Sequence, residues 1–558
     1  MSTATHPTHR APVPGESASL AATTAGTGRI LRHILRRDRV RMSVWTLSVT
    51  AFVAYFAWAL GTVFDESARA ARAEVMRTPS GIVMGGPGYG LDDYTPMVAV
   101  ANEGTTWIVL ALSILAILHV VRHTRAEEES GREELVRASV VGRNAPVLAT
   151  LASLALLLLV IAVAGSAAAM IGEDASYVDG LAMMVGSALV ALVFGAVTLV
   201  ACQITASARG ATGLGLLVFG LAFVVRAAGD LVELEGSLLS WFSPVAWAQQ
   251  MRAYVDLRWW PLLLAVAATG LLLVLAAFLA GRRDVGQGLF ADRAGAAGAA
   301  SWLRSPVAMA WRQQRGLLGW CLLGMGLMWF ATGTLMKTLG DMATELVATN
   351  PALGALFGED PSTFISSFLA VMLLFVVLCT MAYGIVTTHG QCRAEESSAR
   401  LELTLAAPVS RRRWLGAQLL VSAAGVLALL AVSVLATWAG AVVVGVEEPV
   451  LQDYLLAFAA YAPPTLVATG LSAALYAWVP RLAGLSWLLL AVVLIVTMFG
   501  ELLDLPEAAL GLSPLHWVST PFVEEFDGAG ALGVTAAALV LYALALLGFR
   551  RRDLQTQG

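Results

Sequence analysis

The sequence predicts an all-α polytopic membrane protein, with twelve transmembrane helices arranged as two parallel six-helix repeats. Three observations lead there. Of 558 residues, 58% are hydrophobic and only 13% are charged, with a mean hydropathy of +0.75; a soluble globular chain carries roughly 25% charged residues. The apolar residues fall into a dozen runs, each close to the roughly 20 residues a helix needs to cross a bilayer. A charged segment lying between two of those runs recurs later in the chain almost unchanged. So little charge excludes a cytosolic enzyme, a nucleic-acid binder and a disordered scaffold, and the net charge of −4 offers no basic surface to nucleic acid.

Taken in order, residues 1–28 are rich in Ala, Thr, Ser and Pro and lack the apolar core of a secretory signal, so they read as a disordered cytoplasmic tail. The predicted spans are 43–64, 101–121, 146–171, 181–205, 211–228 and 261–280, then 316–337, 365–388, 415–445, 453–478, 484–501 and 530–549. Cytoplasmic loops are enriched in Lys and Arg. With the N-terminus inside, 28 of the 35 basic residues lie in inner segments and 7 outside, which places both termini in the cytoplasm. The outer loops are acidic, as at Glu501, Asp504, Glu507, Glu524, Glu525 and Asp527.

The repeat divides the chain. Residues 125–143 (RAEEESGREELVRASVVGR) and 393–411 (RAEESSARLELTLAAPVSR) align without a gap and agree at 11 of 19 positions. Arg209 and Arg481 each follow the fourth span of a half. Ser243-Pro244 with Trp247 matches Ser513-Pro514 with Trp517, and Arg282-Arg283-Asp284 matches Arg551-Arg552-Asp553. The offsets run 268, 272, 270 and 269. This gives a first half at 29–284, a linker at 285–301 and a second half at 302–558. An even number of spans per half implies parallel repeats, related by an axis along the membrane normal.

Ion-driven transporters keep titratable groups inside their spans, and these span interiors are almost free of them; Glu103, His119, Arg226, Lys337, His389 and Asp453 sit near span ends. No HExxH, GxSxG or Cys/His cluster with metal spacing is present, and the seven histidines look scattered, so no catalytic residue and no metal site is expected. The four cysteines read as small apolar filler. A Walker A loop needs Gly-Lys before Ser/Thr; the sole lysine, Lys337, follows Met336, so the chain is not its own ATPase. The stretch Gly85-Gly86-Pro87-Gly88-Tyr89-Gly90 reads as a flexible outer loop.

The duplicated loop carries Glu127, Glu128, Arg132 and Glu134, matched by Glu395, Glu396, Arg400 and Glu402. Glu128 to Arg132 and Glu396 to Arg400 are i,i+4 pairs in the favourable order, on one short helix with Leu135 or Leu403 on its apolar side. Orientation needs only the basic residues, yet the acidic ones repeat as well. That argues for a docking helix rather than a merely solvated one.

Two six-span halves, a charged helical loop after the second span of each and no ATPase domain resemble a fused type-2 ABC exporter permease, and specifically the actinobacterial exporters of polyketide antibiotics. The resemblance implies that the duplicated loops are coupling helices, seated on two copies of a separate nucleotide-binding ATPase that holds ATP and Mg, with no cofactor on this chain. It implies an amphipathic helix along the inner membrane face, which residues 29–42 fit with Ile30, Leu31, Ile34 and Leu35 against lipid. Residues 302–315 take its place in the second half, where Pro306 is expected to break the helix early. Re-entrant outward elements would fall at 230–260 and 501–529, each with its Ser-Pro…Trp signature, which an ordinary aromatic belt explains equally well. The cargo path would run between spans 2 and 5 of each half. Trp107, Met372 and Phe375 are candidates there, for hydrophobic or amphipathic cargo such as a drug, polyketide or lipid. The resulting expectation is an efflux permease in the bacterial plasma membrane. The alternative is a proton-coupled twelve-span drug antiporter, which the scarcity of buried carboxylates disfavours.

Overall fold

A computed structural model describes residues 20–62, 64, 66–283, 287–289, 298–349, 361–500 and 505–553. Tail residues 1–19, most of the linker, Glu501 and Asp504 lie outside the described residues. The described chain is helical and holds twelve helices long and apolar enough to cross a membrane, one at each predicted position. Two compact units divide it, Met1–Ala294 and Gly295–Gly558.

In the first unit the spans are Arg39–Thr62, Pro96–Glu129, Ala145–Ala169, Tyr177–Ile204, Ala208–Val232 and Pro261–Ala280. Spans 2 and 4 are the most buried and form its centre; span 6 is mostly exposed, as a lipid-facing helix is. Short polar residues start the helices. Ser176 and Ser207 cap spans 4 and 5 by accepting from the amides of Asp179 (3.3 Å) and Gly210 (3.1 Å). Pro146 and Pro261 sit in the first turn, where no amide donor is missed. Part of the predicted tail is helical. Residues 20–24 form a turn of helix, and the Ala25 and Thr23 carbonyls accept from Gly142 (2.9 Å) and Asn144 (3.0 Å), so the tail reading fails for residues 20–28.

In the second unit the spans are Pro306–Asp341, Ile365–Ser397, Arg411–Val443, Leu451–Trp478, Pro480–Met498 and Gly528–Arg551. Spans 7 and 9 touch backbone to backbone. A Cβ on Gly333 would overlap the Thr437 carbonyl, and one on Gly440 the Phe330 carbonyl, so glycine at both positions is what lets the helices close. Pro463 and Pro464 lie inside span 10 and remove two amide donors from its ladder.

The two units begin differently. In the first, helix Thr27–Arg37 is separate from span 1, and buried Asp38 stands at the junction. Its apolar face packs on the unit itself, with Ile34 buried, rather than only against lipid. In the second, Pro306 does not break a helix. It opens one that runs unbroken through Thr349, so no separate amphipathic helix exists there among the described residues.

Candidate functional site

The duplicated loop is two short helices in each unit, not one. Arg125–Glu129 and Arg132–Arg137 meet at Gly131 (φ 71°); Gln391–Ser397 and Arg400–Ala406 meet at Ala399 (φ 57°). Gly131 and Ala399 are the same position of the repeat, and both adopt the left-handed conformation, which glycine tolerates and alanine does not readily. That break redirects the charges. Arg132 reaches Glu127 (3.9 Å) and Arg400 reaches Glu395 (3.6 Å), in place of the i,i+4 pairs with Glu128 and Glu396.

Glu128 and Glu396 turn inward instead. The Arg283 guanidinium donates to both Glu128 oxygens (2.6 and 2.9 Å), and its Nε donates to Gln203 Oε1 (2.6 Å). Buried Arg125 also donates to Glu128. In the second unit Arg552 donates to Glu396 and to the Tyr476 carbonyl (2.8 Å), and its guanidinium lies 4.8 Å over the Tyr476 ring. The Tyr476 hydroxyl donates to the other Glu396 oxygen (2.8 Å). Arg283 and Arg552 are the repeated residues at the exit of the sixth span of each half. Each loop is therefore pinned by a buried charge-assisted pair to the last turn of its own half.

Pinning one face leaves the other outward. Arg132 and Arg400 are mostly exposed, as are Glu134 and Glu402. Between them Leu135 is 77% exposed and Leu403 76% exposed, two leucines offered to water at equivalent positions of charged segments. Behind the first loop, helix Thr27–Arg37 is joined to it by Arg37 Nη1 and Glu127 Oε1 (2.7 Å), and a cavity of about 190 Å³ separates them, lined by Ile30, Ile34, His123, Glu127 and Arg283.

At the far end of each half the Ser-Pro…Trp elements prove to be the same local motif. Ser243 and Ser513 accept from the amides two residues on, Pro244 and Pro514 open a short helix, and the Trp247 and Trp517 indoles donate to the carbonyls six residues back, at Trp241 (2.8 Å) and Gly511 (3.0 Å). What surrounds them differs. In the first unit Arg226 and Asp230, both fully buried, form an ion pair (3.4 Å); Arg226 also donates to the Ile82 and Val83 carbonyls (2.9 and 2.8 Å), and Ser240 donates to Asp230 (2.6 Å). This corrects the flexible-loop reading of Gly85–Gly90. Residues 85–89 are buried, Asn102 Nδ2 donates to the Tyr89 carbonyl (2.7 Å), and the Glu235 amide donates to the Pro87 carbonyl (2.6 Å). The glycines permit close approach rather than motion: a Cβ on Gly86 would stand 2.8 Å from Gln249 Nε2. In the second unit Val496 and Gly500 stand at the offset of Arg226 and Asp230. There a cavity of about 420 Å³ opens, lined by Val371, Leu374, Tyr461, Val496, Met498 and His516.

Trp107 and Phe375 occupy one position of the repeat, and each is about 40% exposed on its own unit, at 42% and 41%. Met372 instead packs against the core of the second unit.

Sequence reading missed a group altogether. The histidines are not all scattered. His119 and His123, one helical turn apart on span 2, have ring centroids 4.7 Å apart, and His123 Nε2 lies 2.9 Å from Asp38 Oδ2. All three are buried. Burial opposes the Asp38 charge, but the bonds from His123 and Arg122 outweigh it and hold the carboxyl below its usual range. The i,i+4 histidine spacing was visible in the sequence; Asp38, more than 80 residues away, was not.

Comparison with known proteins identifies the relatives of this arrangement. The family described as multidrug efflux system permease Rv1217c, C-terminal domain, matches residues 31–282 and 303–550, one stretch in each half. The multidrug efflux system permease protein Rv1217c of Mycobacterium tuberculosis (strain ATCC 25618 / H37Rv) is 33% identical over 555 residues, covering 98% of this chain and 97% of that protein.

Proposed function

The chain belongs to the family of multidrug efflux system permeases, and from that premise we propose that it is the membrane subunit of an ATP-driven ABC exporter. It moves hydrophobic or amphipathic cargo (a drug, a polyketide antibiotic or a lipid) out of the cell. Two copies of a separate ATPase subunit, holding ATP and Mg, supply the energy from the cytoplasmic face of the bacterial plasma membrane, the side on which both termini of the chain lie.

The observation that carries this reading is the pair of pinned, outward-facing loops. An exposed leucine flanked by exposed Arg and Glu, twice, at the same position of a repeat, costs apolar exposure that folding of this chain does not require. A protein partner that covers both explains it. The pins explain transmission. Because Glu128 and Glu396 hold the loops to the exits of spans 6 and 12, a force on either loop reaches the bundle through a short, charge-assisted link. Glu128 and Glu396 thus serve as anchors, while Arg132, Glu134, Arg400 and Glu402 meet the partner alongside the leucines. The family relationship supports efflux of more than one cargo, since the Mycobacterium relative is named a multidrug system.

The test is reconstitution. Purified chain in vesicles, together with its ATPase subunit, should export a fluorescent hydrophobic cation only with hydrolysable ATP and be indifferent to uncouplers. Export by the chain alone, driven by a proton gradient without nucleotide, overturns the proposal.

A further inference from the structure

The Asp38–His119–His123 group belongs neither to the docking loops nor to the far-end motifs. We propose that it is a binding site for a single divalent transition-metal ion of the imidazole-preferring class, such as Zn²⁺, which clamps the first helix to span 2.

Four observations carry the assignment. Two imidazoles and a carboxylate offer ligand atoms that all lie within 4.8 Å of one another, a donor set suited to zinc, nickel or cobalt rather than magnesium or calcium. His123 Nε2 and Asp38 Oδ2 are 2.9 Å apart, close to the roughly 3.3 Å that separates two ligands bound at about 2.0 Å to one tetrahedral ion. The ion takes the place of the proton they share, and the His119 ligand atom lies within 4.8 Å of both.

The outer partners have the right polarity. Ser153 Oγ donates to the Thr150 carbonyl (2.8 Å), so it accepts from His119 Nε2–H (2.8 Å) and leaves Nδ1 as the free lone pair. Arg122 holds Asp38 Oδ1 (3.2 Å), and Arg41 stands 3.9 Å from Oδ2. Outer bonds of this kind fix a ligand's tautomer and orientation, and the carboxylate between these arginines keeps Oδ2 turned to His123. His123 also lines the cavity of about 190 Å³, whose space admits a water as fourth ligand.

The second half supplies an internal contrast. At the offset of the duplicated loop, His119 and His123 become Thr387 and Gln391. The segment 302–315, which takes the place of the first helix, holds no Asp or Glu, and there Gln314 Nε2 donates to Gln418 Oε1 (3.0 Å). The second half thus has neither the two imidazoles nor the carboxylate at these positions. Nothing about transport by a repeated scaffold requires that difference.

The experiment uses the full chain, free of any affinity tag, stripped with chelator and then dialysed against Zn²⁺. One tightly held zinc per chain is expected. His123→Gln should weaken binding more than about 100-fold, and Ser153→Ala about tenfold. X-ray absorption of the zinc-loaded wild type should show two imidazoles with oxygen and no sulfur, which decides the matter even if the ligand variants fail to fold. Less than a tenth of an equivalent bound, sulfur in the shell, or full binding by His119→Gln and His123→Gln each overturns the proposal.

Discussion

The two ends of each half have diverged at different rates. At the end that carries the duplicated loop, both units keep the same left-handed break, the same inward glutamate and the same arginine from the final span. At the far end only the Ser-Pro…Trp motif is shared. The first unit fills the space beside it with Arg226, Asp230 and a buried glycine turn, while the second leaves a cavity of about 420 Å³. Under the proposed function the loop end would meet two identical partners and the far end a single cargo, and a repeat would keep the first alike while specialising the second.

The sharpest way to break this comparison is at the far end. Arg226→Ala leaves Asp230 buried without its cation and should cost about 3–5 kcal/mol, whereas Arg226→Leu with Asp230→Leu should cost far less. Thermal unfolding of the purified protein reads both; equal losses would mean that packing rather than charge holds the cap. Next comes the pin. When Arg283 is removed Glu128 keeps a cation in the buried Arg125 guanidinium, and when Arg552 is removed Glu396 keeps a neutral donor in the Tyr476 hydroxyl. Arg552→Ala should therefore cost about 2–3 kcal/mol and Arg283→Ala about 1 kcal/mol, seen as earlier proteolysis of the respective loop. The docking face is third. Leu135→Asp and Leu403→Asp should leave unfolding within about 0.5 kcal/mol of wild type but weaken ATPase binding about tenfold or more each; a normal affinity in pull-down titration removes the leucines from the interface. Smallest is Gly86→Ala, where the added Cβ would stand 2.8 Å from Gln249 Nε2 and the Gln249 amide must move away, at about 1 kcal/mol in a melting curve.

Much of this was legible in the sequence, for definable reasons. Span positions follow from apolar run length, and the repeat from 11 identities in 19 residues with the acidic members retained. The direction of Glu128 was not legible. The i,i+4 rule assumes a continuous helix, and the break shows itself as a glycine in one copy but is hidden behind Ala399 in the other. Gly85–Gly90 misled because glycine marks both flexible turns and places where backbones must touch, and only the surrounding atoms tell these apart. Arg226 and Asp230, an i,i+4 pair near a span end, were readable as partners from spacing alone, but the carbonyls of Ile82 and Val83 that complete their shell come from a segment more than 140 residues away.

The pins also bear on how the chain is made. Glu128 leaves the ribosome early in its half, and Arg283 follows 155 residues later; Glu396 waits 156 residues for Arg552. Each loop is thus latched only when the sixth span of its half has been delivered to the membrane. A half cut short by nonsense mutation or stalled insertion therefore lacks the arginine that latches its loop.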